Sequence, residues 1–184
     1  DEGLSFTPVF VRADTFFTAI RFAPSQPMRA YVSAWYNTPL SATLLRSDDG
    51  GGTFAEVATS LPWVTGFTVL GVSPADPDVL FAMAFDSPDY VLLRSTDGGA
   101  TFSEVARDAR EFRAVAFSAD GQVVHAAAQR LFESTDGGET FVKLQSPRRA
   151  ACVRRFADDA PTVCASTLLD GYALGTLEAD GSVT

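Results

Sequence analysis

Lysine is nearly missing from this chain: Lys143 stands alone beside 13 arginines. Even together, 14 Lys and Arg face 23 Asp and Glu, for a formal net charge of −9 over 184 residues. That balance argues against sequence-independent nucleic-acid binding, which needs Lys and Arg to neutralise phosphates. There is one histidine, His125, so a His cluster or a multi-His metal site is excluded. Its setting in the apolar run Val123–Ala126 reads as a buried, hydrogen-bonded core side chain. No apolar run approaches the ~18 residues that a membrane-spanning helix needs, and no segment of any length has helical periodicity. The chain opens on Asp1 with neither a methionine nor a basic, apolar leader, and so reads as a processed or excised piece. What remains is 46% hydrophobic and 20% charged, an ordinary globular composition.

What is present is repetition. Ser47-Asp48-Asp49-Gly50-Gly51-Gly52-Thr53-Phe54 returns as Ser95-Thr96-Asp97-Gly98-Gly99-Ala100-Thr101-Phe102, then as Ser134-Thr135-Asp136-Gly137-Gly138-Glu139-Thr140-Phe141. The starts lie 48 and 39 residues apart, close to the ~40–50 residues of a four-stranded propeller blade. The flanks repeat too. Two strand-like runs, with Pro or Asp-Gly turns between them, precede a third run that leads into each octet. A short mixed strand follows it. The sequence therefore predicts an all-β propeller of four-stranded antiparallel blades, with blades at about 13–60, 61–108, 109–147 and 148–184 forming one region. The fourth unit is degenerate. Asp180 and Thr184 align with the octet Asp and Thr, but no outer strand follows. A spare strand at 5–12 is expected either to belong to a preceding blade or to close the fourth. Four blades are taken as part of a ring of six to eight, with a closed four-bladed ring or an association of two halves as alternatives, since an open propeller exposes apolar faces.

The octet has a physical logic. Glycine is needed where φ is positive. The Asp side chain accepts hydrogen bonds from backbone N–H groups of its own turn, and Ser and Thr hydroxyls satisfy others. The closing Phe re-enters the sheet and packs between blades. A calcium-loop reading needs carboxylates at alternate positions, whereas each octet has one fixed Asp. No metal or cofactor is expected.

These residues resemble the Asp-box, or BNR, repeat, Ser-x-Asp-x-Gly-x-Thr-Phe/Trp. The pattern positions here are Ser47, Asp49, Gly51, Thr53 and Phe54; Ser95, Asp97, Gly99, Thr101 and Phe102; and Ser134, Asp136, Gly138, Thr140 and Phe141. The resemblance implies a propeller of the sialidase-like superfamily, which includes sialidases, other glycosidases, sortilin-type receptors and Ycf48-type assembly factors. It also implies that the octets are peripheral and structural. Sialidases carry an Arg-Ile/Leu-Pro signature, an arginine triad and a Tyr/Glu pair. Here Arg21-Phe22-Ala23-Pro24 is not that signature, and the four tyrosines (Tyr31, Tyr36, Tyr90 and Tyr172) have no Glu assigned to them by sequence.

The leading expectation is thus a non-enzymatic, secreted or periplasmic scaffold that binds a protein or carbohydrate on its loop face. The alternatives are a fragment of a secreted sialidase-like glycoside hydrolase and a Ycf48-like assembly factor. Candidate contacts on the loops are Tyr36, Trp63, Tyr90, Arg110, Arg130, Arg148, Arg149 and Tyr172, because aromatics and arginine anchor interfaces. Arg21, Arg113 and Arg154 on the innermost strands are the residues whose convergence with carboxylates would favour hydrolase chemistry. Remaining blades or a second copy are further expected partners. Cys152 and Cys164 fall on adjacent strands of the fourth unit, equidistant from its turn. That register sets them opposite one another, within reach of a disulfide, with two buried thiols as the alternative; a lone bridge suits an oxidising compartment.

Overall fold

The computed structural model describes residues 5, 7–58, 66–144, 150–155, 161–167 and 171–176. All regular structure among them is strand, in four antiparallel sheets. The first sheet is β1 (Thr15–Ala23), β2 (Gln26–Asn37), β3 (Leu40–Ser47) and β4 (Ala55–Ala58). The second is β5 (Thr68–Val72), β6 (Leu80–Asp86), β7 (Asp89–Ser95) and β8 (Ser103–Asp108). The third is β9 (Ala114–Phe117), β10 (Val124–Ala127), β11 (Leu131–Ser134) and β12 (Val142–Lys143). The fourth has β13 (Ala150–Arg155), β14 (Pro161–Thr167) and β15 (Gly171–Thr176). Within each sheet the strands pair in chain order, so every unit is an up-and-down meander, or blade. Innermost strands of consecutive blades pack side by side, β1 on β5, β5 on β9 and β9 on β13.

The core lies between the blades. Side chains alternate along a strand, and β6 uses both faces. Leu80, Ala82 and Ala84 meet Tyr31 and Leu44 of the first blade. Phe81 and Met83 meet Phe112, Val124 and Phe132 of the third. A strand covered on both faces reads as a continuous apolar run rather than an alternation, as Leu80–Phe85 does. Full burial of a ring such as Phe81 contributes about 1.5–3 kcal/mol.

Each octet closes the turn between the third and fourth strands of its blade with one bonding pattern. In the first, the Ser47 hydroxyl donates to Asp49 at 2.7 Å and accepts from Gly51 N–H at 2.8 Å. Asp49 accepts from Thr53 N–H at 2.9 Å and from the Thr53 hydroxyl at 2.7 Å. The same four bonds recur around Asp97 and Asp136. These donors favour the charged carboxylate. The Thr53 backbone N–H, with the Ser47 and Thr53 hydroxyls, pulls Asp49 down to about 2. The Ser134 and Thr140 hydroxyls hold Asp136 well below the usual carboxylate range. Burial opposes ionisation of Asp97, yet the Thr101 hydroxyl and N–H outweigh it and lower its pKa as well.

The strand expected at 5–12 does not form: its described residues, 5 and 7–12, carry no strand pairing. Pro8 has no N–H to give a ladder, and side chains anchor the segment instead. Phe10 packs edge-on against Phe17 with ring centroids 6.2 Å apart. Arg12 is tied to Glu56 at 2.8 Å and lies 3.4 Å over the Tyr36 ring.

Candidate functional site

The innermost strands of the four blades enclose a cavity of ≈ 800 Å³, lined among others by Arg21, Leu70, Arg113, Phe117, Cys152 and Val153. A second space of ≈ 380 Å³ shares Arg21 and Arg113 with it, adding Thr18, Thr68, Met83 and Glu111. Two of the three arginines singled out on innermost strands thus reach one axial groove. Arg154 sits on β13 opposite Thr162, and its side chain is outside the described residues.

The two arginines are held differently. Arg21 Nε donates to the Leu70 carbonyl at 2.9 Å and Nη1 to the Ile20 carbonyl at 2.8 Å. Neutral carbonyls fix this guanidinium without cancelling its charge, and among the described residues no carboxylate is paired with it. Arg113 is more open, with Nε 3.7 Å from Glu111 Oε2. Glu111 is the one acid among the described residues lining either space. Hydrolysis of a glycoside by two carboxylates needs a pair about 5–10 Å apart, and the groove supplies no such pair from its described lining. It supplies a cationic floor with apolar walls, suited to a ligand with a carboxylate or other anionic group and an apolar body.

The loop-face candidates scatter. Tyr36 is 4% exposed, and its hydroxyl donates to Glu56 at 2.6 Å. It is closed off beneath Arg12 and is not a contact on the loop face; an aromatic at a strand end looked exposed because the covering segment is remote in sequence. Tyr90 is half-buried against Phe85, with ring centroids 5.0 Å apart. Arg110 and Arg130 are exposed, outside the lining of the groove. Trp63, Arg148 and Arg149 lie outside the described residues, as does the side chain of Tyr172 on β15. Several other cations are bound to acids. Arg107 is clamped by Glu104 and Asp86, which raise its pKa further, and Lys143 meets the buried Asp108. Arg29 joins Asp48 of its own blade to Asp78 of the next. His125 is buried as expected, with Nε2 2.9 Å from Glu133. Among the described residues no group of three His, Cys, Asp or Glu is placed to hold a metal. Glu111 was not picked out from the sequence. Its place one residue before the apolar run starting at Phe112 was the available signal. Register sets Cys152 directly opposite Cys164.

Four-stranded meanders set side by side, innermost strands around an axial groove, define a β-propeller. The chain matches no protein-family model and no curated protein; its likenesses are to solved propeller structures. An enzyme of the GH74 group from Niastella koreensis superposes with a TM-score of 0.71 at 21% identity, over 91% of this chain and 29% of that one. TolB from Acinetobacter baumannii gives 0.68 at 11% identity, over 91% and 42%. Ycf48 bound to D1 peptide gives 0.59 at 15%, over 92% and 52%. At these identities the likeness carries the fold. This chain spans between 29% and 52% of those three structures.

Proposed function

We propose that this chain is a non-enzymatic Asp-box propeller that binds an anionic protein segment or acidic glycan in its axial groove, with Arg21 and Arg113 taking the carboxylate. The observation behind this reading is the pair of arginines on one apolar-walled groove in a chain of net charge −9. The Asp-box identity rests on the four-bond turn repeated at Asp49, Asp97 and Asp136. The Ycf48 structure, itself bound to a peptide, is a propeller precedent for peptide binding. Cys152 and Cys164 form a disulfide in this reading. Their opposed register supports it, as does the lack of any free cysteine among the described residues. A lone bridge fits a secreted or periplasmic protein.

Calorimetric titration tests the site with two probes, an N-acetylated, amidated tri-glutamate peptide and an oligogalacturonate, against a tri-glutamine control. Saturable binding of one acidic probe, lost in Arg113→Gln and weakened by salt, is expected. Binding of neither probe, or binding indifferent to Arg113→Gln, overturns the reading. A second reading, part of a glycoside hydrolase, draws on the GH74 likeness. Turnover of a polysaccharide by this chain, abolished in Glu111→Gln, would replace the first.

A further inference from the structure

The seam between consecutive blades uses the same glycine hollow twice, plugged once from the third strand of the preceding blade and once from its second. Leu44 of β3 fills the place a side chain on Gly99 would take, and the Phe81 ring of β6 fills the equivalent place over Gly138. Both glycines are left-handed, with φ of +90° and +84°. The octet turn therefore presents bare backbone there, and an apolar side chain from the preceding blade plugs it. The arginine before each octet serine reaches across as well. Arg94 Nε donates to the Gly137 carbonyl at 3.0 Å. Arg46 Nη1 comes within 3.1 Å of where a Cβ on Gly98 would stand. The closing aromatic completes the seam: Phe102 joins the cluster between the first two blades, and Phe141 lies edge-on to Phe81.

The first blade has the same receiving surface. Gly50 and Gly51 have φ of +74° and +94°. Among the described residues, the nearest atoms to a Cβ on Gly51 belong to Phe54 of its own turn, at 3.9 Å. Ser47 and Ser95 lie opposite Ala30 and Leu80. That pairing makes Phe22 the counterpart of Val72, and Ile20 the counterpart of Val69. Val69 and Val72 are 0% and 4% exposed, whereas Ile20 and Phe22 are 47% and 53% exposed. An apolar groove of ≈ 490 Å³ lies on this face, lined by Phe10, Phe17, Ile20, Val32, Leu45 and Phe54, among others.

The geometry points to this face as a socket for one further propeller blade, which sets a leucine or phenylalanine on Gly51 and an arginine on the Gly50 carbonyl. Continuity with the two existing seams carries the inference, since the socket is chemically the one Leu44 and Phe81 already fill. A second copy of this chain fits less well. Aligning its fourth unit puts Gly175 at the place of Leu44, Pro161 at that of Phe81 and Leu177 at that of Arg46, so both kinds of plug and the cation are lost. The occupant is a blade with the complete pattern of the first two.

The test supplies that blade. A copy of residues 15–66, carrying Ile20→Glu and Phe22→Glu so that it adds no apolar face of its own, is joined ahead of Phe17 of the chain, and exposed apolar surface is read with Nile red alongside the urea midpoint. A several-fold loss of dye fluorescence and a higher midpoint are expected. The same extension carrying Leu44→Gly and Arg46→Leu in the added copy should give neither. An extended chain that keeps the fluorescence and midpoint of the parent overturns the inference. So does a concentration-dependent dimer of the unextended chain that quenches the dye, which would give the socket to a second copy. The unextended chain gives an independent check if the extension does not fold. Ile20→Glu with Phe22→Glu should remove most of the dye signal and leave the midpoint in place. A lowered midpoint would mean the face is already covered, and the inference fails.

Discussion

The two ends of the blades follow different rules. At the octet end, three turns repeat the same four hydrogen bonds around Asp49, Asp97 and Asp136. At the opposite end each blade closes differently: Arg12 over Tyr36 in the first, Arg107 among Glu104 and Asp86 in the second, Lys143 on Asp108 between the second and third. A structure repeated in the first three blades answers a demand that those blades share, which is how to reverse the chain and seat a neighbour. Variation is confined to where no such demand exists. The first blade sharpens the contrast, because it carries the shared device with one face uncovered.

The largest break in this comparison should come from filling the glycine hollows. Gly99→Val meets both Leu44 and a left-handed backbone, and should cost about 3–5 kcal/mol in urea unfolding. Gly51→Val meets only the backbone term and should cost about 1–2 kcal/mol. Equal costs would mean the two turns are equally covered. Next in size is the plug. Phe81→Ala should cost about 3–5 kcal/mol, and Phe22→Ala, on the exposed face, within about 0.5 kcal/mol. A smaller loss, about 1 kcal/mol, is expected from Asp97→Ala, which strands a largely solvated set of donors.

Acid should act at the same turns. The Asp49 pKa is lowered in the folded chain to about 2, below its ordinary unfolded value of ~3.9. Its contribution is therefore present above pH ~4 and is lost as pH falls towards 2. Melting temperatures followed from pH 5 to 2 should fall less steeply in Asp49→Asn than in the parent; parallel curves would refute the linkage. Smallest of all in stability is Arg113→Gln, which should leave the urea midpoint unchanged while removing the acidic-probe binding.

Much of this was legible in the chain. The octets set the period, and apolar runs such as Val79–Phe85 mark the strands, although β2 begins at Gln26, four residues ahead of the apolar run that starts at Ala30. Arg21 and Arg113 could be marked because an innermost strand is identifiable by its order in the repeat. Contacts remote in sequence could not be read. The segment at 5–12 has strand-like composition, but Phe10 and Arg12 bind Phe17, Glu56 and Tyr36 through side chains. The cover that Arg12 gives Tyr36 is remote in the same way. The groove depends on how blades curve about an axis, which no local pattern encodes, and Glu111, two residues before Arg113, becomes notable only once that curvature sets the pair on a groove with Arg21.

The octet's serine and aspartate hydrogen bonds close within eight residues, from Ser47 to Thr53 in the first copy, and the Gly50 N–H bond to the Met28 carbonyl stays inside the same blade. The donor a turn takes from outside its blade is the arginine that precedes the neighbouring octet, as Arg94 is to the Gly137 carbonyl, and the repeat supplies it. A duplicated stretch of gene encoding one blade would carry its turn complete, along with a plug for the next unit and a hollow for the last. Insertion or loss of a whole repeat then leaves every remaining turn chemically intact. The number of blades becomes a quantity that recombination can change in single steps, while point substitution acts on the variable end.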